Sequence, residues 1–274
     1  MLLKGAVAIL AGAGRKNGVG AATARLLARE GCHVLINCLK SDQQARLVVD
    51  ECGKIGVEAE LFVGDATRGA ICHQMSDHVK RKWGRTDILV NCLGVTKAAS
   101  YERLDELNEE DFAKMFAVNA TAPYLMCQAF QRMLRASGDG VVVNVSSSAG
   151  ITGKGSSIAY AAAKGAENTL TLALAQALSP EVRVNAVCPS FIDSSWWEEK
   201  FDGKEDKYKV LVKNMQDSNL LRRILKPSDV AYTILSVIQN PMMTGELIRL
   251  DAGAHVGKAN PREENDAKRT ISPK

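Results

Sequence analysis

A chain of 274 residues with 46% apolar and 24% charged side chains has the composition of an ordinary globular protein and is long enough to bury one large core. A formal net charge of +4, with Lys and Arg scattered and adjacent only in short runs such as Arg222-Arg223, excludes a dense basic face for nucleic acid. No apolar run reaches the length of a membrane span, and residues 1–7 lack the basic start and long apolar core of a signal peptide.

In chain order, compact runs rich in Val, Ile and Leu occur at 7–11, 34–37, 59–63, 88–90, 141–145, 182–187 and 247–250. Such runs read as strands covered on both faces, as in parallel sheets. Between them, 18–30, 41–54, 68–83, 109–136, 157–178 and 228–239 read as helices. Regular alternation of this kind predicts an α/β chain: a single-domain Rossmann fold, its doubly wound parallel sheet of about seven strands flanked by helices, over residues 1–256. Residues 194–225, with the adjacent Trp196 and Trp197, read as a substrate lid, and Gly203 among alternating charges marks that lid as mobile. The polar segment 257–274 reads as a tail.

Helix 157–178 is apolar on nearly every face, with Ala161, Ala162, Ala163, Leu170, Leu172 and Leu174. A helix of this kind is buried on all sides, and one sheet covers only one of them. A second subunit is therefore expected, with Phe112, Met115 and Phe116 of helix 109–136 adding area, giving a homotetramer or homodimer. The seven cysteines and four histidines show no metal or disulfide spacing, which predicts reduced thiols, no metal site and a cytoplasmic protein.

Chemistry is concentrated in two places. After the first strand comes Gly12-Ala13-Gly14-Arg15-Lys16-Asn17-Gly18-Val19-Gly20, then a helix. Glycines there allow a sharp turn and close approach of backbone to a pyrophosphate, which the helix N-terminus then binds. The second strand ends at Asn37 with no carboxylate before Asp42, while Lys40, Arg15 and Lys16 supply cations. That polarity favours NADP(H) over NAD(H), because a 2′-phosphate needs charge-assisted partners. The second place is Ser146-Ser147-Ser148 at the end of the fifth strand, followed by Tyr160-Ala161-Ala162-Ala163-Lys164. Residues i and i+4 share a helix face, and a nearby ammonium favours a phenolate. Tyr160 is thus suited to general acid–base work, and one of the three serines to binding a developing oxyanion.

These motifs, in this order, resemble the short-chain dehydrogenase/reductase family over residues 4–255. The likeness includes Asp65 after the third strand, Asn91-Cys92-Leu93-Gly94 after the fourth, Asn119 in the following helix, Arg183-Val184-Asn185 leading to Pro189, and Asp251-Ala252-Gly253. The pattern is most similar to 3-oxoacyl-acyl-carrier-protein reductases. The resemblance implies a nicotinamide-dependent oxidoreductase acting on a carbonyl or alcohol, with Asn119, Ser147, Tyr160 and Lys164 as the catalytic set. It selects Ser147, which lies thirteen residues before the tyrosine. It also implies that Gly12, Gly14, Arg15, Asn17, Gly18, Val19, Asn37, Lys40, Asp65, Ala66, Asn91, Gly94, Tyr160, Lys164, Pro189, Ile192 and Ser194 hold the cofactor. Asp65 and Asn91 would bracket the adenine and its ribose. The chain departs from the family in lacking the usual Thr before the glycine turn and in Pro189-Ser190, and the turn can be opened by Gly12 or by Gly14. Within the same fold a sugar, polyol or steroid alcohol dehydrogenase is the alternative. From another class, a cofactor-binding regulator without turnover is possible.

Overall fold

The computed structural model describes residues 2–40, 43–194, 197 and 203–258. Seven strands form one parallel sheet: β1 (Val7–Ala11), β2 (His33–Cys38), β3 (Ala59–Val63), β4 (Ile88–Asn91), β5 (Gly140–Val145), β6 (Val182–Pro189) and β7 (Leu247–Leu250). Their order is β3-β2-β1-β4-β5-β6-β7. Each strand from β1 to β6 is followed by a crossover on one face or the other, so both faces are covered. The alternation within β1 shows the division: Ala8 and Leu10 enter one core, and Val7, Ile9 and Ala11 enter the other. The first core is closed by α1 (Val19–Arg29), α2 (Gln43–Gly53) and α9 (Pro227–Gln239), the second by α3 (Gly69–Trp83), α5 (Ala122–Ala136) and α7 (Ile158–Leu178).

Two expectations need correction. Helix 109–136 is not one regular helix; it runs as α4 (Glu109–Phe116), a π-helical segment (Ala117–Thr121) and α5. Such segments mark helices that are distorted for a purpose, and here it turns Asn119 into the interior. The described part of the lid holds a helix absent from the predicted elements: Glu205–Ser218 forms α8. Glu205 and Asp206 favour its N-terminus, and Tyr208, Leu211, Val212 and Met215 recur at helical spacing. Residues 195, 196 and 198–202, including Trp196, lie outside the described residues, as does the tail beyond Lys258. As expected of a helix that one sheet covers on one side only, α7 is not enclosed by its own chain: Ala162, Leu172 and Ala173 are exposed. A short helix, α6 (Ala149–Thr152), and a 3-10 turn (Leu104–Glu106) were not anticipated.

The buried polar residues fasten the layers. Asn91 donates to Asn144 Oδ1 at 2.8 Å, Asn144 donates to Thr171 Oγ1 at 2.9 Å, and Thr171 donates to the Glu167 carbonyl at 2.9 Å. This chain of bonds ties β4 and β5 to α7. Arg183 closes the end of α9 by donating to the carbonyls of Val237, Ile238 and Asn240. Among the described residues, no helix is long and apolar enough to cross a membrane.

Candidate active site

Beyond the carboxyl ends of β1 and β4, where the strand order reverses, lies a cleft of about 1210 Å³. One wall is the glycine turn. Gly12 directly follows β1 at φ +75°, and a Cβ there would stand 2.9 Å from the Cys92 carbonyl oxygen. The turn therefore opens at Gly12. Gly14 passes so close to β2 that a Cβ would lie 2.6 Å from Cys38 Cβ. Gly18 begins α1 with no side chain capping it, so the first-turn N–H groups are left to an anion. A cradle that any side chain would fill, ending on an uncapped helix, fits a dinucleotide pyrophosphate.

Further along this wall the cleft is lined by Arg15, Val19, Asn37, Lys40, Asp65, Ala66 and Gly94. Asn37 has spent its amide on the carbonyls of Phe62 and Gly64, at 3.2 and 3.0 Å. Asp65 is oriented by Thr67, whose N–H and hydroxyl both donate to Asp65 Oδ1. Asn17 is exposed and does not line the cleft. Nor does the side chain of Asn91. It shares a strand face with Leu89, which points into the core beneath α3, α5 and α7, and it bonds to Asn144. The expectation that its side chain brackets the adenine ribose is thus corrected; it locks β4 to β5.

The other wall brings together Ser147, Tyr160, Lys164, Pro189, Ile192 and Ser194. Ser157 caps α7 by accepting from the Tyr160 N–H at 3.2 Å, which starts the helix just before the tyrosine. Ser147 Oγ accepts from the Ala149 N–H at 3.1 Å, and its own hydroxyl proton is not consumed by that bond. Ser146 instead faces inward and donates to the Lys164 carbonyl. Lys164 is almost fully buried and donates to the Val145 carbonyl at 3.0 Å and to Glu167 Oε2 at 2.7 Å. Burial opposes its charge, but the Glu167 carboxylate and Tyr160 beside it outweigh that and raise its pKa above the ordinary lysine value. Asn119 does not line the cleft. Its amide donates to the Val95 and Met115 carbonyls and its oxygen accepts from the Val95 N–H, so it fixes the strand of backbone that does.

The substrate end brings Trp197 of the expected lid together with residues that sequence reasoning missed. Leu211 and Met215 of α8 face the cleft, as do Val95, Val118 and His255. Phe191 and Trp197 stack there with centroids 5.1 Å apart. His255 hydrogen-bonds to Asp251 at 2.8 Å. Glu167 was missed as well. Its signal was a lone carboxylate in an otherwise apolar helix, three residues after Lys164.

Comparison with known proteins gives a concordant result. A family profile described as enoyl-(acyl carrier protein) reductase matches residues 12–255. A ketoacyl reductase named for the granaticin polyketide synthase of Streptomyces violaceoruber is 32% identical over 244 residues, covering 89% of this chain and 94% of its own. A 3-oxoacyl-[acyl-carrier-protein] reductase of Thermotoga maritima is 30% identical over 260 residues, covering 92% and 99%. A crystal structure described as a short-chain dehydrogenase/reductase from Burkholderia xenovorans superposes with a TM-score of 0.84 at 34% identity, covering 92% of this chain and 99% of that one. The chain belongs to the short-chain dehydrogenase/reductase family, as an NAD(P)-dependent oxidoreductase acting between CH–OH and C=O.

Proposed function

We propose that the chain is an NADP(H)-dependent reductase of a carbonyl carbon, of the 3-oxoacyl type, with Tyr160 as its general acid. The observation that carries this reading is that Ser147, Tyr160 and Lys164 face the same cleft as the glycine turn. Gly12, Gly14, Gly18 and Val19 would hold the pyrophosphate, and Arg15 and Lys40 the 2′-phosphate. Asp65 and Ala66 would hold the adenine side, and Gly94, Pro189, Ile192, Ser194 and Lys164 the nicotinamide side. A bound reduced nicotinamide supplies the hydride.

The chain's own residues do the rest. Ser147 donates a hydrogen bond to the substrate carbonyl oxygen, and Tyr160 gives that oxygen its proton as negative charge develops there. In alcohol oxidation the same phenol works in reverse, as base. Lys164 supplies the positive charge that favours proton release from Tyr160. Asn119 acts through the Val95 backbone that it braces, and through its own place in the π-helical segment.

The apolar lining from Phe191, Trp197, Leu211 and Met215 suits an acyl chain. The stacked ring pair favours a steroid-like ring alcohol as the second reading, ahead of a sugar or polyol. The exposed Phe112, Phe116, Tyr124 and Leu172 support a homotetramer or homodimer through α4, α5 and α7, in a cytoplasmic enzyme.

The test is a panel of 3-oxoacyl thioesters, ring ketones and sugars with NADPH and NADH, followed by nicotinamide absorbance. NADPH should be preferred, with an acyl substrate turned over fastest. Lys40→Glu should cut the NADPH-over-NADH preference roughly 10- to 100-fold, the value of a charge-assisted hydrogen bond. Wild-type preference for NADH would refute the cofactor assignment.

A further inference from the structure

Tyr160, Lys164, Glu167 and Thr171 stand at i, i+4, i+7 and i+11 on α7, one polar stripe along a helix whose other buried positions are mostly apolar. Glu167 is completely buried, as is nearly all of Lys164. Its Oε2 accepts from the Lys164 ammonium at 2.7 Å, and its Oε1 has no hydrogen-bond partner. A buried carboxylate is costly to keep, and the adjoining stretch of the fold is already fastened without it, by Thr171 and Asn144. Neither the glycine turn nor the proton-donating group uses it.

We propose that Glu167 is a positioning residue for the reaction: its side chain anchors the Lys164 ammonium below Tyr160, and gain or loss of one proton on it sets the net charge of the pair. This rests on Tyr160 being the general acid. With the carboxylate ionised the pair is neutral, and the pull of the ammonium on the phenol proton is offset. With the carboxyl protonated the pair carries one positive charge, which favours transfer of the proton to substrate.

The surroundings support a change of state near neutral pH. Burial pushes the Glu167 carboxyl up to about 7, against the opposing ammonium. The titratable groups acting on it are Lys164, with Tyr160 beyond it on the same helix, Cys188 from β6 and Cys92 after β4. Burial raises those two thiols to about 11 and about 12, so they stay neutral in that range. Seven residues of helix place Glu167 about 10 Å along the axis from Tyr160. A unit charge at that range, in partly buried surroundings, changes a proton-transfer step roughly tenfold.

The test compares the pH profile of kcat/KM for carbonyl reduction in wild type, Glu167→Gln and Tyr160→Phe. In wild type the rate should fall about tenfold as pH rises through about 7, where the carboxyl ionises. Glu167→Gln keeps a hydrogen-bond acceptor for Lys164 but cannot ionise, so its profile should stay level through the same interval. Superimposable wild-type and Glu167→Gln profiles would overturn the proposal. A Tyr160→Phe enzyme that still turns over would instead overturn the general-acid reading, so the two failures are separate. Infrared difference spectra of the free wild-type enzyme give a second readout that needs neither turnover nor a stable variant. The carbonyl stretch of a buried carboxylic acid should be present about one unit below pH 7 and lost about one unit above it. Its absence on the acid side would also overturn the proposal.

Discussion

Lys164→Met is expected to lower kcat/KM for carbonyl reduction by about 10³-fold and to cost about 3–5 kcal/mol of folding stability. The two losses have different origins. The rate falls because the positive charge beside Tyr160 disappears, along with the donor expected to reach the nicotinamide ribose. Stability falls because Glu167, fully buried, is left without its ionic partner. The double variant Lys164→Met/Glu167→Leu separates them. Removing both charges leaves an apolar pair of similar volume, which is often neutral or stabilising. Thermal unfolding should therefore return towards wild type while activity stays lost. If the double variant regained activity as well, Lys164 would be serving stability alone.

Gly12→Val should weaken NADPH binding by on the order of 100-fold or more while leaving the sheet folded. The backbone at Gly12 has φ +75°, where a residue with a Cβ is strained by about 1–2 kcal/mol. That Cβ would also stand 2.9 Å from the Cys92 carbonyl, an overlap worth roughly another 1–3 kcal/mol. Because the collision is with backbone, the turn itself must move, and it moves into the space the pyrophosphate needs. Fluorescence titration with NADPH reads the loss directly. Unchanged affinity would mean the cofactor does not sit against this turn.

The sheet was legible in the sequence because each strand is a short run of branched apolar residues, covered on both faces and bounded by turns. β1, β3 and β7 begin and end at the residues expected. Tyr160 and Lys164 were legible as a pair because the spacing of a helix turn puts them on one face, whereas Ser147 was chosen among three serines by the family resemblance alone. Asn91 was misplaced because motif order says nothing of which side of a strand a side chain faces; alternation with Leu89 does. The break in helix 109–136 had a mark that was passed over: Pro123, in the first turn of α5 just after the π-helical segment, has no N–H to continue the helical ladder. In α8, the apolar positions 208, 211, 212 and 215 carried the helical signal, but the charges between them masked it. Glu167 escaped notice because its meaning depends on burial: on a solvated face, a Glu three residues from a Lys is an ordinary surface pair.

The central claim is that Tyr160 supplies the proton while hydride reaches the carbonyl carbon. Single-turnover oxidation of bound NADPH by a 3-oxoacyl substrate, followed by stopped-flow absorbance in wild type and Tyr160→Phe, tests it most directly. The substitution removes one hydroxyl and leaves the ring, so NADPH affinity should be unchanged while the rate falls about 10²- to 10⁴-fold. A Tyr160→Phe enzyme that oxidises NADPH within a few-fold of the wild-type rate would contradict the account.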